Sequence, residues 1–147
     1  MRMFNFVAAV LLGAIASASA QGPARPLDAL KPQVSKLGAD SGILKAPPLA
    51  DRLQKLMGTS AYQAMLKTWQ TETPLKEEGG ILHASGCQAH NCGDTGYELF
   101  VDPAGDNVNV YAFSKKAMKK YEEKGPIALP PGMAADFKAT VSNRTMP

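Results

Sequence analysis

The sequence predicts an α+β fold: helices ahead of and behind a central antiparallel sheet, with a disulfide-closed loop protruding between two of the strands. Three observations carry this. Apolar residues recur at helical spacing from Leu49 to Trp69. Beyond Thr71 the pattern changes to short apolar or alternating runs separated by turn residues. The only two cysteines, Cys87 and Cys92, fall in one of those connections, in the stretch SGCQAHNCGD from Ser85 to Asp94.

The chain of 147 residues is enough for one core and not comfortably for two. Residues 1–20 are read as a signal peptide. Arg2 gives a short positive start, Phe4 to Ala16 is almost uncharged and apolar, and Ala18-Ser19-Ala20 supplies the small residues of a cleavage site. The apolar run is shorter than the roughly 20 residues a membrane span needs, so the mature form, beginning at Gln21, is expected to have no span. Its formal charge would be +2, the whole chain's +3 less Arg2. A charge this small and dispersed does not point to a nucleic-acid partner.

Residues 21–48 are dense in Pro and Gly and read as an irregular, partly mobile arm with a short helical turn near Leu27 to Leu37. The single domain is expected over 49–147. Its first helix starts after Pro48, carries Leu49, Leu53, Leu56 and Met57 on one face, and ends at Gly58. Ser60 can cap a second helix in which Tyr62, Met65, Leu66 and Trp69 form a stripe, read as core. Gly80 to Ser85, Gly96 to Asp102 and Asn107 to Phe113 read as strands of an antiparallel meander, with Pro103 to Asp106 as a turn. Ser114 is then expected to cap a basic helix, KKAMKKYEEKG, closed by Gly125, whose lysines form a solvated face. Pro126 to Pro131 interrupts the chain before a last short helix over Met133 to Val141.

The loop decides function. Export would favour oxidation of Cys87 and Cys92 to a disulfide, and a cysteine so bonded is neither nucleophile nor metal ligand. A redox motif is disfavoured by the four-residue spacing and the hairpin context. Zinc held by Cys87, His90 and Cys92, with His83 as a fourth donor, is an alternative hindered by the crowding of three donors into six residues. No catalytic residue, resident metal or cofactor is expected. Closing so small a ring removes on the order of 2 kcal/mol of unfolded-chain entropy, so local rigidity is a better reason for the bond than global stability. From the spacing alone, a bland alternative stays open: the bond staples a hairpin, and His90 has no task.

Cys87-Gln88-Ala89-His90-Asn91-Cys92-Gly93 resembles the hallmark loop of the Ivy family, the inhibitors of vertebrate lysozyme, in which a disulfide closes Cys-Lys-Pro-His-Asp-Cys ahead of Gly and a pair of strands. The length, the helices ahead of the loop and the hairpin YELFVDPAGDNVNVYAF are also similar. Gln88-Ala89 replaces the family's Lys-Pro, and Asn91 its Asp. The resemblance implies helices packed on the faces of a central sheet, and a loop that plugs the active-site cleft of a c-type lysozyme. Residues 87–92 would then be the inhibitory loop, His90 the plug, Cys87 and Cys92 the clamp, and Gly86 and Gly93 the hinges of the protrusion. The expected partner is a c-type lysozyme or a bacterial lytic transglycosylase, in the periplasm; a homodimer is compatible with the sequence. The runner-up is a non-inhibitory periplasmic binding or scaffold protein on the same fold.

Overall fold

The computed structural model describes residues 25–38 and 42–146; the expected leader and its cleavage site lie outside them. A 3-10 helix, Pro26–Gln33, is followed by α1, Leu49–Met57, and α2, Thr59–Thr68. Six strands come next: β1, Thr71–Glu72; β2, Lys76–Glu78; β3, Ile81–Cys87; β4, Gly96–Asp102; β5, Asn107–Ser114; and β6, Ala117–Glu122. The final helix α3 spans Pro131–Thr145. All strand pairs are antiparallel, in the order β1-β3-β4-β5-β6, with β2 beside β1 on the same edge of β3.

The sheet separates two apolar cores. On one face Leu82, Ala84, Leu99, Val101, Val108 and Val110 meet α1, α2 and the residue after α2 through Leu49, Leu53, Met65 and Trp69. On the other, Ile81, Phe100, Tyr111 and Phe113 meet Met133 of α3, with Phe137 and Val141 packed against the group. Strand β4 is thereby covered on both sides. Glu98 is 4% and Phe100 1% exposed because α3 lies over them.

The arm is packed. Leu27, Leu30, Ile43 and Leu44 are buried in the first core, and the main chain of Ser35 and Lys36 pairs with that of Leu75 between β1 and β2. Ser60 is not a cap: α2 starts at Thr59 with Gly58 in the cap position at φ 83° and no side-chain cap. Glu78 does cap a helix, from another element. Its two carboxylate oxygens accept the Gly132 and Met133 N–H groups at 3.0 Å each, which places a negative charge at the N-terminus of α3.

The largest departure is at residues 114–124. The expected basic helix is strand β6, paired with β5 so that Met118 lies opposite Phe113 and Tyr121 opposite Val110. Local helix propensity is worth tenths of a kcal/mol per residue, and cross-strand pairing on an existing sheet outweighs it. Ser114 therefore ends a strand, and Lys115 and Lys116 form a two-residue hairpin turn with φ of 50° and 63°. Such turns favour Asn-Gly; a residue with a Cβ in the left-handed region costs about 1–2 kcal/mol.

A charged cluster ties α1 to the far end of this hairpin. Arg52 Nε donates to Glu123 Oε1 at 3.0 Å and Nη1 to Asp106 Oδ1 at 2.5 Å, while Lys124 Nζ donates to Asp106 Oδ2 at 2.8 Å. The bonds from Lys124 and Arg52 lower the Asp106 carboxyl from an ordinary value of 3.8 to about 2. A lowered folded value stabilises above the ordinary value, and the contribution disappears as pH falls through the folded one. Wild-type protein is therefore expected to melt above Asp106→Asn at pH 7, with the gap closing between pH 3.8 and about 2. Melting curves at pH 7, 4 and 2 check this; a gap that persists at pH 2 would contradict the assignment.

Candidate functional site

The β3–β4 hairpin carries the site. Cys87 is the last residue of β3, paired with Gly96, the first of β4. Between them residues 88–95 fold into two successive turns: Asn91 N–H donates to the Gln88 carbonyl at 3.0 Å, and Thr95 N–H to the Asn91 carbonyl at 3.0 Å. A further rung from Gln88 N–H to the Thr95 carbonyl, 3.3 Å, closes the neck. The Cys87–Cys92 disulfide, with its Cα atoms 5.0 Å apart, spans the first turn. The Asn91 side-chain amide also donates to Gln88 Oε1 at 3.4 Å. These two positions are where the loop departs from the Lys and Asp of the related motif, and here they bond to each other.

His90 stands at the tip. It is exposed, its φ is 62°, and among the described residues no hydrogen bond or ion pair engages its ring. Histidine tolerates the left-handed region better than most residues. The tip is held from outside the ring as well, since Ala89 N–H donates to the Gln70 side-chain carbonyl at 3.1 Å and Gln70 N–H to the Cys87 carbonyl at 3.0 Å. Gln70 follows α2, so the loop is anchored to the first core. Periodicity gave no sign of this residue.

The two glycines that flank the ring sit in different settings. Gly86 lies within β3, opposite Tyr97, outside the left-handed region, and a Cβ there would sit 2.1 Å from Cδ2 of Trp69. Close approach of the indole requires glycine at this position; chain reversal does not. Gly93 is exposed in the second turn, also outside the left-handed region, with nothing within 4 Å of a Cβ.

His83 lies elsewhere. It is four residues before Cys87 on an extended strand, about 13 Å away. Its ring stacks on Phe100 at 4.5 Å, with Nε2 2.7 Å from Glu98 Oε2. Arg144 completes this cluster: Nη2 is 3.9 Å from Glu98 Oε1, the guanidinium lies 5.1 Å from the Phe113 ring centre, and Nη1 occupies the place of a Cβ on Gly96. The last turn of α3 thus bears on the first residue of β4, at the base of the loop. With Cys87 and Cys92 bonded to each other, the thiolates of the zinc alternative are gone, and the described residues contain no group of three or more donors placed for a metal.

The family model described as Inhibitor of vertebrate lysozyme (Ivy) matches residues 48–143, well over half of the chain. The chain belongs to the Ivy family. The match takes in α1, α2, the whole sheet and most of α3, so it covers the second core and all of the first except the residues that the arm contributes. Comparison with curated proteins and comparison with solved structures gave no match. Ivy membership identifies a lysozyme-inhibitor family, and on this member the cyclised loop carries an exposed imidazole.

Proposed function

We propose that this Ivy-family chain inhibits a peptidoglycan-cleaving glycosidase, a c-type lysozyme or a lytic transglycosylase, by inserting the Cys87–Cys92 loop into the enzyme's active-site groove. The observation that carries the reading is the exposed, unengaged ring of His90 on a loop already ordered by a disulfide, two turns and Gln70. A lysozyme-type site holds one protonated and one ionised carboxyl group across a gap sized for a glycosidic linkage. A neutral imidazole has one donor and one acceptor, and a charged one has two donors, so His90 can bridge both carboxyl groups in place of the sugar. The ring presents no glycosidic bond to cleave. Export to the periplasm belongs to this reading, on the strength of the apolar leader over residues 1–20. The test is to titrate the purified mature protein and its His90→Ala variant into lysis assays with a c-type lysozyme and with a lytic transglycosylase. Equal potency of the two proteins would refute it.

The disulfide enters through preorganisation, because a loop ordered before docking loses less conformational entropy on entering a cleft. Reduction, or Cys87→Ser, is expected to weaken inhibition about tenfold, mainly by slowing productive docking, while lowering fold stability by about 2 kcal/mol or less. Inhibition kinetics measured beside chemical denaturation separate the two effects. Unchanged inhibition after verified reduction would remove preorganisation as the cause.

A further inference from the structure

The register of the sheet places a second feature beside the His90 loop. Gly96, where the loop rejoins the sheet, pairs with Phe113, and Phe113 pairs with Met118. The β3–β4 loop and the Lys115–Lys116 turn therefore leave the same end of the sheet, two strand spacings or about 10 Å apart. Both lysines are exposed, as are Ser114 and Ala117 beside them. None of the ion pairs among the described residues includes them. Some cations of the fold are paired, Lys31 with Asp28, and Arg52 and Lys124 with Asp106, and others on exposed surfaces are not; what sets Lys115 and Lys116 apart is their place beside the loop. On the other flank of the loop, Lys67 lines a shallow depression with Gln70 and Gln88.

Folding gives no reason for these two lysines. The turn would be better served by Asn-Gly, and both lysines hold the left-handed conformation against the preference of any residue with a Cβ. Lysines within an edge strand discourage edge-to-edge pairing, which accounts for Lys119 and Lys120 but not for two in the turn. A strained, unpaired pair of charges at a protruding tip points to a partner.

We infer that the Lys115–Lys116 turn is a second contact of the inhibitory surface, meeting acidic side chains on the rim of the groove that His90 enters. This rests on the inhibitory reading of the loop. The ammonium groups would steer encounter and fix the angle of approach, an effect seen chiefly in association rate and in its salt dependence. It also selects the target: a muramidase with an acidic rim is favoured over one whose rim is basic.

The experiment compares wild type, Lys115→Asn/Lys116→Gly, Lys115→Arg/Lys116→Arg, Lys119→Gln/Lys120→Gln and His90→Ala against the muramidase that wild type inhibits, at 50 and 200 mM salt. The Asn-Gly variant should melt higher than wild type yet inhibit roughly tenfold more weakly at low salt, with most of the salt dependence gone. The Arg-Arg and Lys119/Lys120 variants should inhibit like wild type. Full, salt-dependent inhibition by the Asn-Gly variant, with His90→Ala inactive, overturns this inference and leaves the loop reading standing. Loss in the Arg-Arg variant as well would make the turn's shape responsible and also overturns it. Weakening by Asn-Gly with His90→Ala fully active would reject the loop reading and with it this inference, since there would be no groove entered by His90 for the turn to flank. No inhibition of any muramidase by wild type would reject both.

Discussion

Replacing His90 by alanine is expected to raise the concentration for half-inhibition by about 30-fold or more. The figure follows from the place the side chain would hold. Residues that fill a desolvated pocket at the centre of an interface cost at least about 2 kcal/mol on truncation, and 2 kcal/mol corresponds to a factor of roughly 30. His90 would be such a centre, a single ring at the end of a narrow protrusion, lying against two carboxyl groups that its loss would leave unpaired. The fold should hardly notice: the ring is exposed and touches nothing described that stabilises it. Alanine does fit φ 62° less well than histidine, so His90→Asn is the companion variant. Asparagine keeps the tolerance for that backbone but lacks the reach of an imidazole. Both variants should melt within a few degrees of wild type and inhibit poorly. Recovery of full inhibition by His90→Asn would mean that the loop's shape, not the ring, is what the enzyme meets.

What the sequence could disclose divides along physical lines. Regular periodicity was readable, so α1, α2, β3, β4 and β5 emerged close to their observed bounds, and turn chemistry located Pro103 to Asp106. The loop was legible because a cysteine pair, a histidine and flanking glycines are chemically conspicuous. Residues 117–122 were not. With lysine at four of the positions from 115 to 120 and apolar residues at Ala117, Met118 and Tyr121, the segment suits a helix face and an edge strand about equally, and only the neighbouring strand β5 decides between them. Contacts between distant segments were equally silent. Gln70 on the loop, Glu78 on α3 and Arg144 over Gly96 are each one polar residue among many until the fold brings their partners near. Gly86 shows the hazard most clearly: beside a loop it reads as a hinge, whereas its neighbour in space, Trp69, is seventeen positions earlier in the chain.

That reassignment makes the second large prediction. Gly86→Ala is expected to lower stability by about 3 kcal/mol, roughly 10 °C in melting temperature for a domain of this size. The added methyl would lie 2.1, 2.3 and 2.5 Å from Cδ2, Cε2 and Cγ of Trp69, closer than any real carbon approaches, so the strand or the indole must move. The indole has little freedom. Its Nε1 donates to Glu72 Oε2 at 2.7 Å, and its ring stacks beside Tyr97, with centroids 6.5 Å apart, on the strand paired to Gly86. The backbone at residue 86 lies outside the left-handed region, so alanine can adopt it and the penalty is steric. A double-mutant cycle tests this directly. Trp69→Leu alone should be destabilising because it empties a packed site, yet Gly86→Ala should cost far less in the Trp69→Leu background, giving a coupling of at least about 1 kcal/mol. Were Gly86 a hinge, the alanine would leave the melting temperature near wild type in both backgrounds and act on inhibition alone. Because Trp69 also sits next to Gln70, the anchor of Ala89, displacing the indole should loosen the loop as well. Folded Gly86→Ala protein is thus expected to inhibit more weakly in proportion to its lost stability, with the two losses relieved together by Trp69→Leu.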